Sequence, residues 1–182
     1  QGAIEAAALG KHVLTEKVLE ISTEAMDRMT RACRDAGVKL AVTYQRRMSP
    51  DNVAVKRLLD AGAFGRVFAA DMTVKFWRDA AYYRSGAYRG TRAVDGGGAF
   101  TQQAAHNADL LCWFFGMPDK VVSLCDRFMH DIEVEDHGVA LLHYPNGMIG
   151  TFTASTACKP GFPTRLEIHA VAGSVVMEND CI

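Results

Sequence analysis

A segment that follows three consecutive glycines carries side chains that could transfer a proton. At about 100° per residue, a helix over this segment places Gln102, His106, Asp109 and Trp113 on one face. An imidazole beside an amide and a carboxylate is suited to general acid–base catalysis. We expect the glycines at 96–98 to leave the first backbone N–H groups of the helix open to a ligand. An ordinary solvated helix face is the alternative.

The same helix also raises the question of a metal site, because side chains three residues apart can share an ion. His106 and Asp109 have that spacing, but two ligands are too few. The remaining histidines lie in strand or turn patterns without ligand spacing. We therefore predict no metal site.

A charged pair at the end of a short strand is the second candidate. HVLTE reads as a strand, and Glu16 and Lys17 stand at its carboxyl end. Ligands of α/β folds bind at that edge of the sheet. Lys17 could therefore contact a ligand, although an exposed pair of charges at a strand end is the plainer interpretation.

The segment WRDAAYYRSGAYRGTR combines arginines with tyrosines and is the third candidate. Its arginines are Arg78, Arg84, Arg89 and Arg92. Planar guanidinium groups and aromatic rings could hold a phosphate or a sugar. We predict a loop of about 20 residues without secondary structure, a length that favours a functional role. An exposed loop or a subunit contact is the alternative.

The elements that must position these residues change in character near residue 45. Before it, helix and strand alternate, as in a parallel sheet with crossover helices. After it, strand patterns dominate, and Asn146-Gly147 marks a hairpin. The sequence predicts an α/β fold followed by an α+β fold with a large, mainly antiparallel sheet.

The first strand beyond the boundary, VFAADMTVKFW, alternates strictly between apolar and polar residues. This pattern predicts one wet face and one face that packs on the core. The core-facing residues of this prediction are Phe68, Ala70, Met72, Val74 and Phe76.

Composition excludes several classes of partner. The chain has 182 residues, is 49% hydrophobic and has a net charge of -1. This balance gives no field that would hold nucleic acid or an anionic membrane, so we predict neither partner. No apolar run approaches the roughly 18 residues of a membrane span. The five cysteines are scattered and form no CxxC pair, which predicts a reducing, cytoplasmic location.

Five segments, in order, resemble the Gfo/Idh/MocA oxidoreductase family of glucose-fructose oxidoreductase and inositol dehydrogenase. They are AALGKHVLTEK, RRMSP, YYRSGAYRGT, VDGGGAFTQQAAHNADLL and PGFPTRLEIHAVAGSV. The resemblance implies an NAD(P)-dependent enzyme that transfers a hydride between nicotinamide and a hydroxyl or ketone of a sugar, sugar nucleotide or cyclitol. It also implies that residues 1–45 are the remainder of a Rossmann-type dinucleotide-binding domain. Residues 46–182 would form a substrate domain whose open sheet joins a homodimer or homotetramer.

Carried over by position, the catalytic residues implied by the resemblance are Lys17, His106 and Gln102. Lys17 would hydrogen-bond the reacting hydroxyl, and His106 would exchange its proton. Gln102 stands where many members have Asp or Asn, and would orient the substrate or the histidine. The implied cofactor contacts are Glu16, Lys17 and Arg47, and the implied substrate contacts are Arg89, Asp109 and Gln102.

Two departures from the family pattern carry expectations. Val18 follows Lys17 where the family has Pro, and a cis bond before a non-proline residue costs about 2.5 to 4 kcal/mol, so we expect a trans bond. The sequence also lacks the GxGxxG turn of a Rossmann fold. We therefore expect an internal portion of a longer protein that binds NAD weakly or not at all by itself.

Two further functions fit the same residues. One is a glycosidase-like relative that retains NAD and both oxidises and re-reduces its substrate. The other is a non-catalytic binding or assembly protein, which Val18 and Gln102 favour.

Overall fold

The computed structural model describes all 182 residues, which form two separate β-sheets. The first sheet belongs to four alternating elements: α1 (Gly2–Ala8), β1 (Val13–Glu16), α2 (Thr23–Asp35) and β2 (Leu40–Thr43). β1 and β2 pair in parallel. The side chain of Ser22 caps α2 by accepting a hydrogen bond from the Ala25 N–H at 3.1 Å.

The second sheet has six strands, in the order β4-β5-β6-β3-β7-β8. They are β3 (Val67–Lys75), β4 (Lys120–Asp126), β5 (His137–His143), β6 (Ile149–Ser155), β7 (Arg165–Ala170) and β8 (Gly173–Glu178). Every neighbouring pair is antiparallel except β3 and β6. The prediction of an α/β fold followed by a mainly antiparallel α+β fold is confirmed. The domain boundary near residue 45 stays a prediction.

The predicted hairpin joins β5 to β6. Its turn contains Asn146 and Gly147, and Gly147 has a φ of 82°, a conformation that side chains other than glycine rarely adopt. The Asn146 side chain accepts a hydrogen bond from the Met148 N–H at 3.0 Å, which closes the turn.

The helices α3 (Pro50–Asp60) and α5 (Ala105–Phe115) pack on one face of the six-stranded sheet. A 3₁₀ turn, Gln45–Met48, connects β2 to α3. Buried residues from both helices and from the strands form one core: Val55, Leu110, Leu111, Phe114, Met72, Val74 and Ile168. The opposite face of the sheet is open, so this domain presents a broad strand surface.

The alternation predicted for β3 is confirmed at Ala70, Met72 and Val74, which are at most 1% exposed. Phe68 is 45% exposed, so its predicted burial is wrong. The pairing of β3 with β7 shifts register between Val67 and Ala69, and Phe68 lies at that irregularity. There its ring stacks on His169, with the ring centroids 6.4 Å apart.

The predicted long loop contains a short helix, α4 (Ala80–Arg84), so the expectation of no secondary structure is wrong. The Asp79 side chain caps α4 by accepting a hydrogen bond from the Tyr82 N–H at 2.8 Å. One helical turn is too short to produce an amphipathic pattern, and for this reason the sequence did not indicate it.

The segment after the glycines is not one continuous α-helix. It begins as a π-helical turn, Ala99–Gln103, and Ala104 then interrupts the helix with φ −102° and ψ 10°. The α-helical period starts only at Ala105. The predicted common face therefore holds for His106 and Asp109 but does not extend back to Gln102.

Candidate active site

Lys17 connects the first sheet to the segment that precedes α5. It follows the last residue of β1, and its Nζ donates a hydrogen bond to the carbonyl O of Gln102 at 2.7 Å. The peptide bond between Lys17 and Val18 is cis, so the expected trans bond is wrong. That expectation considered only the intrinsic preference of a non-proline peptide.

His106 lies in the first turn of α5, beside this lysine. Its Nδ1 is buried and has no hydrogen-bond partner, and its ring meets Tyr44 edge to face with centroids 5.8 Å apart. Burial lowers the pKa of His106, and the positive charges of Lys17 and Arg46 lower it further, against the opposing effect of Asp109. These surroundings favour the neutral imidazole, the form that accepts a proton.

The pKa of Lys17 is also lowered, chiefly by its burial, while Asp95 and Glu16 oppose the shift. A lysine ammonium has three donors, and Gln102 uses one of them. Two N–H groups of Lys17 therefore stay available for a substrate oxygen. The structure thus brings a cationic donor and a neutral base together.

The Gln102 side chain does not contact His106. Its amide Nε2 donates to the backbone carbonyl of Asp95. The backbone carbonyl of Gln102 accepts the hydrogen bond from Lys17 Nζ. Gln102 forms no hydrogen bond with His106, and its role in orienting the substrate or the histidine stays a prediction. Gln102 instead fixes the π-helical turn that receives the lysine.

Asp109 and Arg47 form a bidentate ion pair. Arg47 Nε and Nη2 donate to the Asp109 carboxylate at 2.7 and 2.5 Å, and the Arg47 guanidinium lies 5.8 Å from the centre of the Trp113 ring. The Asp109 side chain is only 9% exposed and that of Arg47 is 40% exposed. The carboxylate is thus occupied by the arginine, and the substrate role of Asp109 and the cofactor role of Arg47 stay predictions.

The three glycines do not expose a helix N-terminus to a ligand, so this expectation is wrong. The Glu135 carboxylate accepts hydrogen bonds from the N–H groups of Gly98 and Phe100, both at 3.1 Å. A Cβ on Gly98 would lie 1.8 Å from the backbone O of Glu135. The glycines therefore admit another segment of the same chain.

Arg89, predicted to contact substrate, belongs to a cluster with Tyr82, Gln103 and Arg78. Sequence reasoning missed Gln103, because the assumed uninterrupted α-helix placed it off the functional face. The one feature of the sequence that could have indicated Gln103 is its position directly after Gln102.

An open cavity of about 670 Å³ extends along β1 and β2 to the 3₁₀ turn that follows β2. Its lining includes Leu14, Thr43, Tyr44, Arg47 and Met48. Glu16, the last residue of β1, forms no side-chain hydrogen bond or ion pair, and its cofactor role stays a prediction.

No group of three or more His, Cys, Asp and Glu side chains is placed to hold a metal ion. None of the helices combines the length and the apolar character needed to cross a membrane.

The structure thus combines a parallel α/β unit with an open-sheet α+β domain, and Lys17 of the first bonds to the segment that leads into His106 of the second. The model of the GFO/IDH/MocA C-terminal domain matches residues 52–176. The chain belongs to the Gfo/Idh/MocA family, as the resemblance of its motifs predicted.

Several of the proteins that the chain resembles are dehydrogenases. The WlbA dehydrogenase of Bordetella pertussis, in complex with NADH and UDP-GlcNAcA, superposes with a TM-score of 0.93 at 34% identity, over 99% of this chain and 55% of that one. scyllo-Inositol 2-dehydrogenase (NAD(+)) of Bacillus subtilis is 27% identical over 94% of this chain and 49% of its own length. Levoglucosan dehydrogenase of Pseudarthrobacter phenanthrenivorans is 23% identical over 96% and 51%. The chain spans about half the length of these curated relatives.

Proposed function

We propose that the protein carrying this chain is an NAD(P)-dependent oxidoreductase of a sugar, sugar nucleotide or cyclitol. The observation that carries the proposal is the proximity of Lys17 and His106. The Lys17 ammonium donates to the backbone O of Gln102, four residues before His106, and its charge helps to lower the pKa of the imidazole. The dehydrogenase relatives, one of them in complex with NADH, agree with it.

The residues around the 670 Å³ cavity fit a nicotinamide cofactor. The cavity extends from the middle of the parallel strands, at Leu14 and Ala41, to the carboxyl end of β2, the edge where α/β folds bind ligands. Its volume is within the roughly 300 to 1,000 Å³ of small-molecule sites. Tyr44 borders this cavity and also contacts the His106 ring. NAD(P), when bound, supplies the hydride acceptor for oxidation and the donor for reduction.

The protein side of the reaction is proton transfer at one substrate oxygen. Lys17 donates a hydrogen bond to the reacting hydroxyl and stabilises the negative charge that develops on its oxygen. His106 accepts the hydroxyl proton during oxidation and returns it during reduction. Gln102 and Asp95 hold the turn against which Lys17 is fixed.

Replacement of His106 tests this assignment. A positioned base contributes about 10² to 10⁴ in rate, so His106→Ala should lower turnover by that order while the protein remains folded. His12→Ala is the matched control, because His12 is exposed and only its Nδ1 accepts a hydrogen bond, from the Lys39 N–H. Turnover of His106→Ala at the parental rate would contradict the proposal.

The open sheet face is the proposed contact in a homodimer or homotetramer. Its β4–β5 half is apolar, with Val122, Leu124, Val139 and Leu141 exposed by 41% to 84%. Its central part is polar, where the Thr151 hydroxyl donates to Asp71 across β6 and β3. Burial of the apolar half against a second copy would remove this surface from water.

The cytoplasmic location is proposed from the cysteines, all five of which are unpaired thiols.

A further inference from the structure

Two arginines lie against one tyrosine ring near the proposed active site. The guanidinium carbons of Arg78 and Arg89 lie 4.9 and 4.3 Å from the centre of the Tyr82 ring. Arg89 Nη1 donates to the Tyr82 hydroxyl at 2.6 Å, and Arg78 Nε donates to Gln103 Oε1 at 3.0 Å. Gln103 Nε2 in turn lies 2.6 Å from the same hydroxyl.

This cluster has more hydrogen-bond donors than acceptors. A guanidinium can only donate, so the contact with Arg78 fixes the Gln103 amide with its NH₂ group toward Tyr82. The Tyr82 oxygen therefore accepts two hydrogen bonds, and its own proton remains to be donated outward. Both Nη groups of Arg78 and Nη2 of Arg89 donate to no protein atom, so the cluster lacks an acceptor.

The cluster also has uncompensated positive charge. Neither Arg78 nor Arg89 has a carboxylate within 4.0 Å, whereas Arg47 and Arg165 are both paired. The carboxylate of the adjacent Asp79 is used to cap α4. Two half-buried guanidinium groups whose Nη donors are unused can bind a planar or tetrahedral oxyanion.

The position of the cluster relates it to the reacting groups. Gln103 follows Gln102, whose carbonyl receives Lys17, and precedes His106 by three residues. Three residues span at most about 11 Å of chain, so one ligand can contact both the arginine cluster and His106. His130 holds the backbone behind the cluster, because its Nε2 lies 2.7 Å from the carbonyl O of Arg78.

We propose that Arg78, Arg89 and Tyr82 form a subsite for an oxyanion of the substrate, a carboxylate or a phosphate. This proposal rests on the proposed function, in which Lys17 and His106 act on a hydroxyl of the same molecule. The subsite would make the enzyme select anionic substrates over their neutral counterparts.

Calorimetric binding to the natural protein that carries this chain tests the subsite with two matched ligand pairs. GlcNAcA (N-acetylglucosaminuronic acid) and GlcNAc differ only at the carboxylate, and GlcNAc 1-phosphate and GlcNAc differ only at the phosphate. The variants are Arg78→Gln and Arg89→Gln. Arg84→Gln is the control, because it removes an exposed arginine of the same segment that lies outside the cluster.

We expect the parent to prefer the anionic member of at least one pair, and each variant to weaken that member by roughly 10- to 100-fold, since a hydrogen bond to a charged group contributes on this scale. The neutral member should bind the variants as it binds the parent, which also shows that they are folded. Selectivity in the first pair identifies a carboxylate and in the second a phosphate. Equal weakening of both members, equal affinity of the parent for both, or no binding of any of them would overturn the proposal.

Failure of this proposal is distinct from failure of the proposed function. Binding selectivity requires no turnover, so the subsite can stand if His106→Ala remains active. Conversely, if Arg78→Gln bound all three ligands as the parent does, a loss of turnover in His106→Ala would still support the proposed function.

Discussion

Replacement of Glu135 by Gln should destabilise the turn that receives Lys17. The two carboxylate oxygens of Glu135 accept from the N–H groups of Gly98 and Phe100, both at 3.1 Å. Glutamine has the same shape but only one acceptor oxygen, so its NH₂ group would face one of these N–H groups. A buried donor without an acceptor costs about 1 to 3 kcal/mol. For a protein of this size, this cost corresponds to a Tm lowered by about 2 to 12 °C.

Thermal unfolding of Glu135→Gln beside Glu133→Gln measures this effect. Glu133 is exposed and accepts only from the Arg92 N–H, at 2.8 Å, so its replacement removes the same charge at the surface. The control should change stability by no more than about 0.5 kcal/mol. If both variants melt together, the glycine run does not depend on Glu135 for its conformation and the reasoning is refuted.

Three further predictions follow from the same contacts. Because burial and Lys17 lower the pKa of His106, kcat/KM for oxidation should fall only below the ordinary histidine value of about 6.5, and a midpoint above it would contradict the neutral base. Leu141→Glu should shift sedimentation toward monomer, whereas Leu9→Glu, at the exposed residue that follows α1, should not. Arg47→Met leaves Asp109 unpaired and should lower the free energy of unfolding in urea by about 1 to 3 kcal/mol; an unchanged value would show that the pair contributes nothing.

The sequence predicted what depends on local periodicity and turn chemistry. Alternation of helix and strand indicated the parallel pair β1 and β2, and Asn146-Gly147 indicated the hairpin. The position of Lys17 at a strand end and of His106 on a helix followed from the same patterns. That these two residues meet came only from the family resemblance, because they are far apart in the chain.

The sequence did not predict contacts that depend on distant segments. Glu135 occupies the N–H groups after the glycines, and it lies more than thirty residues away in a segment without a motif. The π-helical turn changes the direction of Gln102 and Gln103. The periodicity of apolar residues in the sequence does not indicate where a helix widens locally into a π-helical turn. Phe68 departs from its alternation at a register shift that only strand pairing reveals.

The central claim is that Lys17 and His106 act on one substrate oxygen. Its most direct test is the first-turnover rate of NAD(P) reduction for Lys17→Met, His106→Asn and the double variant, in the natural protein that carries this chain. We predict that each single variant loses about 10² to 10⁴ in rate and that the double variant loses no more than the worse single, since residues that act as a unit are not additive. A parental rate in either single variant, or losses that multiply in the double, would contradict the claim.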